Sequence, residues 1–269
     1  MQIKNTKNRL YFWYIMSDIV RKYSNTRSCT YKLYSKKQSD IDKINNNVIE
    51  QFLKNVNDNY VKFCVNCDNF ILKKGDALNL IKENVDDEFD ICITSPPYGD
   101  NATTVTYGQF SILPLIWIDK NDLKLEGWEY NNYSIIDSKS LGGCMSNINN
   151  ESDIKDIEEL LNEISPHLCK KINKFFKEYF YFLDEASRVT KKYIVMTLGN
   201  RIVAGKRIEL TDITINKLNK NGFSLVGKLE REIYCKRTPK ILSYKDGIAI
   251  NSMNMEYVII MEKNKNIFN

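Results

Sequence analysis

Glycine is present in only eleven positions, and no two of them stand in a Gly-x-Gly relation. The chain therefore has no candidate for the turn that lets backbone approach a bound cofactor closely. Histidine is reduced to His167, whose place after Pro166 near a helix junction fits a structural role better than a catalytic one. The seven cysteines are scattered and odd in number, which reads as reduced thiols in a cytoplasm. Cys64-x-x-Cys67 has the spacing of half a zinc site, but no second such pair and only one histidine are available, so no metal is expected. A signal pattern is missing, as is any apolar run near the roughly twenty residues that a membrane span takes. The expectation is a soluble, cytoplasmic protein with no membrane association.

What is there is ordinary for a globular chain: 269 residues, 43% hydrophobic, enough for one large α/β domain or two small ones. Basic residues number 39 against 34 acidic, a net charge of +5, which permits a polyanionic partner without requiring one. Apolar spacing predicts helices over Tyr11–Tyr23 and Gln38–Asn57, short strands over Val61–Val65 and Phe70–Lys74, and a helix from Ala77 with Asp76 as its N-cap. Phe89–Thr94 is apolar except for Asp90 and polar Thr94, as a central parallel strand would be. Further on come a helix over Gln109–Ile118, an irregular segment over Gly127–Asn150, and a helical pair over Glu151–Arg188 interrupted at Pro166. Tyr193–Leu198 reads as a buried strand and Glu209–Asn221 as a helix ended by Gly222, with Phe223–Tyr234 and Met255–Glu262 as antiparallel strands. The sum is an open α/β sheet with N-terminal helices and a terminal β-hairpin. Residues 1–58 are taken as an N-terminal helical segment and 59–269 as the main α/β domain, with 119–150 as a loop insertion.

The densest chemistry lies at Thr94-Ser-Pro-Pro-Tyr98, directly after the strand. In an open parallel sheet, ligands sit beyond the carboxyl ends of the strands. An exocyclic amine of a nucleobase is a poor nucleophile until hydrogen-bond acceptors draw on its hydrogens. Ser95 can offer its hydroxyl oxygen and Pro96 its carbonyl, held still because Pro97 restricts the residue before it and both prolines fix φ. Tyr98 supplies a flat face for a base to stack on, worth roughly 1–3 kcal/mol. A Pro-Pro pair alone is a common rigid turn; the full string at a strand end is what points to an amine clamp.

Thr94–Tyr98 resembles the signature of amino-methyltransferases acting on DNA, in the branch associated with cytosine N4; members with Asp or Asn in place of Ser95 more often modify adenine N6 or protein glutamine, so Ser95 favours cytosine. The resemblance extends to Gly75-Asp76-Ala77, Tyr107–Trp117, Leu198–Lys206, Lys236–Pro239, Met253–Tyr257 and the Ser24–Arg27 and Thr30–Leu33 segment. It implies a partial Rossmann-like, S-adenosylmethionine-dependent methyltransferase fold and transfer of methyl to cytosine N4 in DNA. Adenine-N6 transfer and a non-catalytic DNA- or partner-binding subunit are the alternatives, and a restriction-modification or phage-defence setting follows from the family. The resemblance gives Ser95, Pro96, Pro97 and Tyr98 the catalytic roles, and Asp76, Ala77, Thr94 and Ser95 the cofactor contacts. Thr94 and Gly99 shape access to the clamp. Because the base must leave the duplex to reach Tyr98, Arg201, Lys206, Arg207, Lys236 and Arg237, which follow strand ends on the clamp's side, are the candidate DNA contacts. Trp128–Cys144 could approach the grooves.

The family holds S-adenosylmethionine with a Gly-rich turn after its first strand, and this chain has none. The resemblance thus implies the carboxyl-terminal half of a split enzyme, completed by a second subunit carrying that turn and the missing strands; a lone chain with a degenerate cofactor pocket, or an assembly of several copies, is the alternative. Without them, apolar strand edges would lie open.

Overall fold

A computed structural model describes residues 3–27, 33–64, 69–99, 107–123, 137, 157, 166–203, 206–232, 241–245, 248–251 and 255–265. Two compact units emerge, one from Met1–Leu72 with Asn101–Lys139 and one from Lys73–Asp100 with Ser140–Asn269. No helix among the described residues is long and apolar enough to cross a membrane.

The first unit is helical. Helix α1 (Thr6–Tyr23) starts where the Asn5 side chain accepts from the Asn8 amide, and it ends on Arg21 and Lys22, which complement the helix dipole. Its Tyr11, Ile15 and Ile19 recur every fourth residue and are buried. Two helices, α2 (Gln38–Ile41) and α3 (Val48–Cys64), replace the single one predicted over Gln38–Asn57. The break falls on the Asn45-Asn46-Asn47 run, where the Asn47 side chain accepts from the Tyr23 hydroxyl at 2.7 Å instead of continuing a helix. The strand predicted from Val61 is helical as far as Cys64, because Phe63 stacks on Tyr11 with ring centroids 4.4 Å apart. Packing overrides β-propensity there. Phe70–Lys74 forms no strand and lies exposed.

Helix α5 (Tyr107–Trp117) takes its cap from far along the chain: Asp137 accepts from the amides of Gly108 at 2.7 Å and Gln109 at 3.2 Å. Helix α6 (Lys120–Leu123) presents Asp122 to α1. The carboxylate accepts from Arg9 at 2.8 and 2.9 Å and from the Trp13 indole at 2.8 Å. These donors hold the Asp122 carboxyl down at about 2.

In the second unit, helix α4 (Ala77–Leu80) and a 3₁₀ turn (Ile81–Glu83) precede β1 (Phe89–Thr94). Helix α7 (Pro166–Val189) leads into β2 (Thr190–Leu198), a short hairpin of β3 (Arg201–Val203) and β4 (Lys206–Ile208), helix α8 (Leu210–Lys220) and β5 (Phe223–Glu232). A separate two-stranded sheet, β6 (Ile241–Lys245) and β7 (Ile248–Asn251), comes before β8 (Met255–Lys263). The main sheet runs β1-β2-β8-β5. Strands β1 and β2 are parallel, and β8 lies antiparallel between β2 and β5. The α/β expectation and the antiparallel pairing of the last long strands both hold. Strands β6 and β7 fall between the two members of that terminal pair in the chain and form a small sheet of their own.

The core forms where α7 buries Phe175, Phe176, Tyr179, Phe180 and Leu183 with Ile194, Met196, Ile259 and Met261 of the sheet. Tyr179 stays satisfied through its hydroxyl, 2.7 Å from Thr214 Oγ1, and burial pushes its phenol far up. Gly222, with φ of 85°, ends α8 in the left-handed region that glycine enters freely. The start of β1 is fixed by Arg188, which donates to Asp86 and Glu185 at 2.7 Å each and to the Asn84 carbonyl at 2.9 Å.

One expectation fails in an informative way. Among the described residues β1 pairs with β2 alone and so is an edge strand rather than a central one. Its Ile91 and Ile93 are 51% and 76% exposed.

Candidate active site

Strand β1 delivers Ser95-Pro96-Pro97-Tyr98-Gly99 to its carboxyl end, and parallel pairing of Thr94 with Met196 brings the end of β2 alongside. Ser95 is exposed, Pro96 and Gly99 are buried, and Pro97 and Tyr98 are half-buried. The corner thus leaves Ser95 accessible between packed neighbours. Tyr98 leans on the hydrophobic core, and its hydroxyl donates to Glu256 Oε1 at 2.9 Å.

Beyond β2, buried Asn200 organises the next turn. Its Oδ1 accepts from the amide and hydroxyl of Thr211, both at 3.0 Å, which caps α8 from outside the helix, and its Nδ2 donates to Glu209. Arg201 follows at once and lies over Gly99: a Cβ built there would stand 1.5 Å from Arg201 Nη1. The missing side chain at Gly99 makes room for the guanidinium beside the Ser95–Tyr98 corner.

The structure therefore brings together Thr94, Ser95, Pro96, Pro97, Tyr98 and Arg201. Asp76 and Ala77 head α4, where Asp76 Oδ1 accepts from the Leu78 amide and Oδ2 from Asn79 Nδ2, each at 3.0 Å. No hydrogen bond among the described residues joins Asp76 to the clamp. Arg207, exposed on β4, pairs with Glu209 at 2.5 Å. Lys206 pairs through its backbone with Val203. Lys236, Arg237 and Trp128–Cys144, Asp137 excepted, lie outside the described residues, as do Cys67 and the first member of the helical pair, Ile157 excepted.

Two residues of the site had no role from sequence reasoning. Glu256 accepts from Tyr98 on one oxygen and from Arg231 on the other, and Arg231 is its direct cross-strand neighbour. That opposite-charge pair becomes visible once β5 and β8 are set antiparallel in register. Elsewhere, a cavity of about 640 Å³ in the first unit, lined by Arg21, Asn55 and Phe110 among others, collects none of the predicted site residues. Burial pushes the Cys92 thiol up, which disfavours the thiolate form.

The chain is similar to a type II methyltransferase. It is 31% identical over 280 residues to M.MvaI of Kocuria varians, an alignment covering 95% of this chain and 60% of the relative. The chain thus spans about 60% of the length of the curated relative it matches. No protein-family model matches it. Among solved structures, TTHA0409 of Thermus thermophilus, a candidate DNA modification methylase, is similar at 15% identity and a TM-score of 0.35, covering 72% of this chain and 54% of that one. Its complex with S-adenosyl-L-methionine gives 17% identity, a TM-score of 0.35, and coverage of 72% and 56%.

Proposed function

We propose that this chain carries the amine-binding site of an S-adenosylmethionine-dependent DNA methyltransferase that modifies cytosine N4. The observation that carries the reading is the placement of Ser95 to Tyr98 beyond a parallel strand, with Ser95 exposed and Arg201 alongside Gly99, in a chain 31% identical to a type II methyltransferase.

In this reading the Ser95 hydroxyl and the Pro96 carbonyl accept from the exocyclic amine and turn its lone pair toward the methyl donor, while the ring of Tyr98 carries the extruded base. S-adenosylmethionine supplies an electrophilic methyl group. The chain's own contribution is positioning, with no covalent enzyme intermediate. Arg201, set over Gly99, meets a phosphate of the displaced strand. The residues present fit the amine better than the cofactor: Asp76 spends both oxygens on α4, and the sequence holds no Gly-x-Gly turn.

A second polypeptide that brings the glycine turn and further strands completes this proposal. Its support is that, among the described residues, β1 pairs on one side only, an open edge of the kind that proteins usually cover, with Ile91 and Ile93 exposed on the same strand.

The test is transfer of tritiated methyl to DNA by the chain alone and with the product of the adjacent open reading frame, followed by nucleoside analysis. N4-methylcytosine formed only by the pair is the expected result. N6-methyladenine would replace the base assignment, and full activity of the chain alone would remove the second polypeptide.

A further inference from the structure

We infer that Glu256 is a positioning residue for Tyr98, and that Arg231 and Glu256 together lock the ring on which the target base stacks. The inference rests on the clamp reading above and deepens it.

The geometry begins in strand register. The β2–β8 ladder ends with Leu198 opposite Tyr257, so Glu256 is the first residue past that last pair. It stands at the carboxyl end of β2, beside the corner that follows β1. Across the other ladder Arg231 is its direct partner. The chain Arg231, Glu256, Tyr98 therefore links β5, β8 and the loop after β1 at one end of the sheet.

The side chain of Glu256 is only 13% exposed. A carboxylate so far out of water needs donors on its oxygens. It has them: the Tyr98 hydroxyl on Oε1 at 2.9 Å, and Arg231 on Oε2 through Nε at 3.1 Å and through Nη2. Facing an acceptor-only carboxylate, the phenol must donate, and its proton is committed. A tyrosine side chain has two torsions. Packing of the ring on the core restrains its rotation, and the hydrogen bond holds the tip in place. The base consequently meets a ring of set tilt, and the phenol proton is not offered to the base edge.

A pair that merely stabilised the sheet would change melting without changing kinetics. The experiment measures kcat, KM for DNA and thermal midpoint for Glu256→Ala, Glu256→Gln, Tyr98→Phe, and the double variant Glu256→Ala with Tyr98→Phe, in the active methyltransferase preparation. Each of Glu256→Ala and Tyr98→Phe is expected to lower kcat/KM about tenfold, the scale of one lost hydrogen bond to a charged group. The double variant is expected to lose no more than either single one, and Glu256→Gln, which keeps an acceptor oxygen, to recover most of the rate. Additive losses, or normal kinetics in Glu256→Ala with only a lower midpoint, would overturn the inference. Ser95→Ala in the same assay separates the two readings: if it too is silent, the clamp itself is wrong.

Discussion

The sheet of the second unit carries apolar side chains on both faces, and the two faces meet different fates. On one, Ile194, Met196, Ile259 and Met261 disappear beneath the aromatic side of α7. On the other, register aligns Ile93 with Val195 and Val195 with Ile260, and this row remains half-buried at best, with Ile93 the barest. Ordinary soluble sheets do not leave such a row without a use. The first face explains why the unit folds; the second marks where it is still open to another surface.

Substitutions can sharpen or break that contrast. The largest effect belongs to the covered face: Phe176→Ala, which empties space between α7 and the sheet, is expected to cost about 3–5 kcal/mol in chemical denaturation. Next comes Ser95→Ala at the sheet's carboxyl end, expected to reduce methyl transfer by about 10²-fold while leaving the thermal midpoint in place. Near-normal turnover would take Ser95 out of the chemistry. On the open face Ile93→Ser is expected to shift stability of the isolated chain by no more than about 0.5 kcal/mol, yet to weaken any association that covers β1. A cost as large as that of Phe176→Ala would mean that Ile93 is already packed and would erase the contrast.

The smallest effect lies in the first unit and depends on pH. The Asp122 carboxyl is held at about 2 by Arg9 and Trp13, below the usual value near 3.9. Its contribution is therefore full above about pH 4 and disappears as pH falls through about 2. Asp122→Asn should lower the midpoint near neutrality and flatten the acid side of the stability profile.

Local patterns in the chain announced much of this architecture. The aromatic face of α7, the apolar β2, the Asp76 cap and the glycine that ends α8 are decided within a few residues, and the structure shows each where its spacing put it. Misreadings came where a distant partner decides. Val61–Cys64 has strand-forming residues, yet Phe63 stacks on Tyr11 and keeps the backbone helical. Phe70–Lys74 has strand-like composition, but no described strand pairs with it. In the candidate site, the corner from Thr94 to Gly99 was legible because its residues are consecutive. The seat of Arg201 over Gly99 and the Glu256–Arg231 pair were not, since each depends on register between segments far apart in sequence.

The order of the strands also bears on how the chain is made. Strand β1 leaves the ribosome roughly a hundred residues before β2, the neighbour that pairs with it. Until then its isoleucines have no sheet to join, and contacts of such long sequence separation form slowly and leave a nascent chain open to aggregation. Synonymous changes that alter the pace of translation between residues 94 and 190 should therefore change the yield of soluble protein without altering a single side chain.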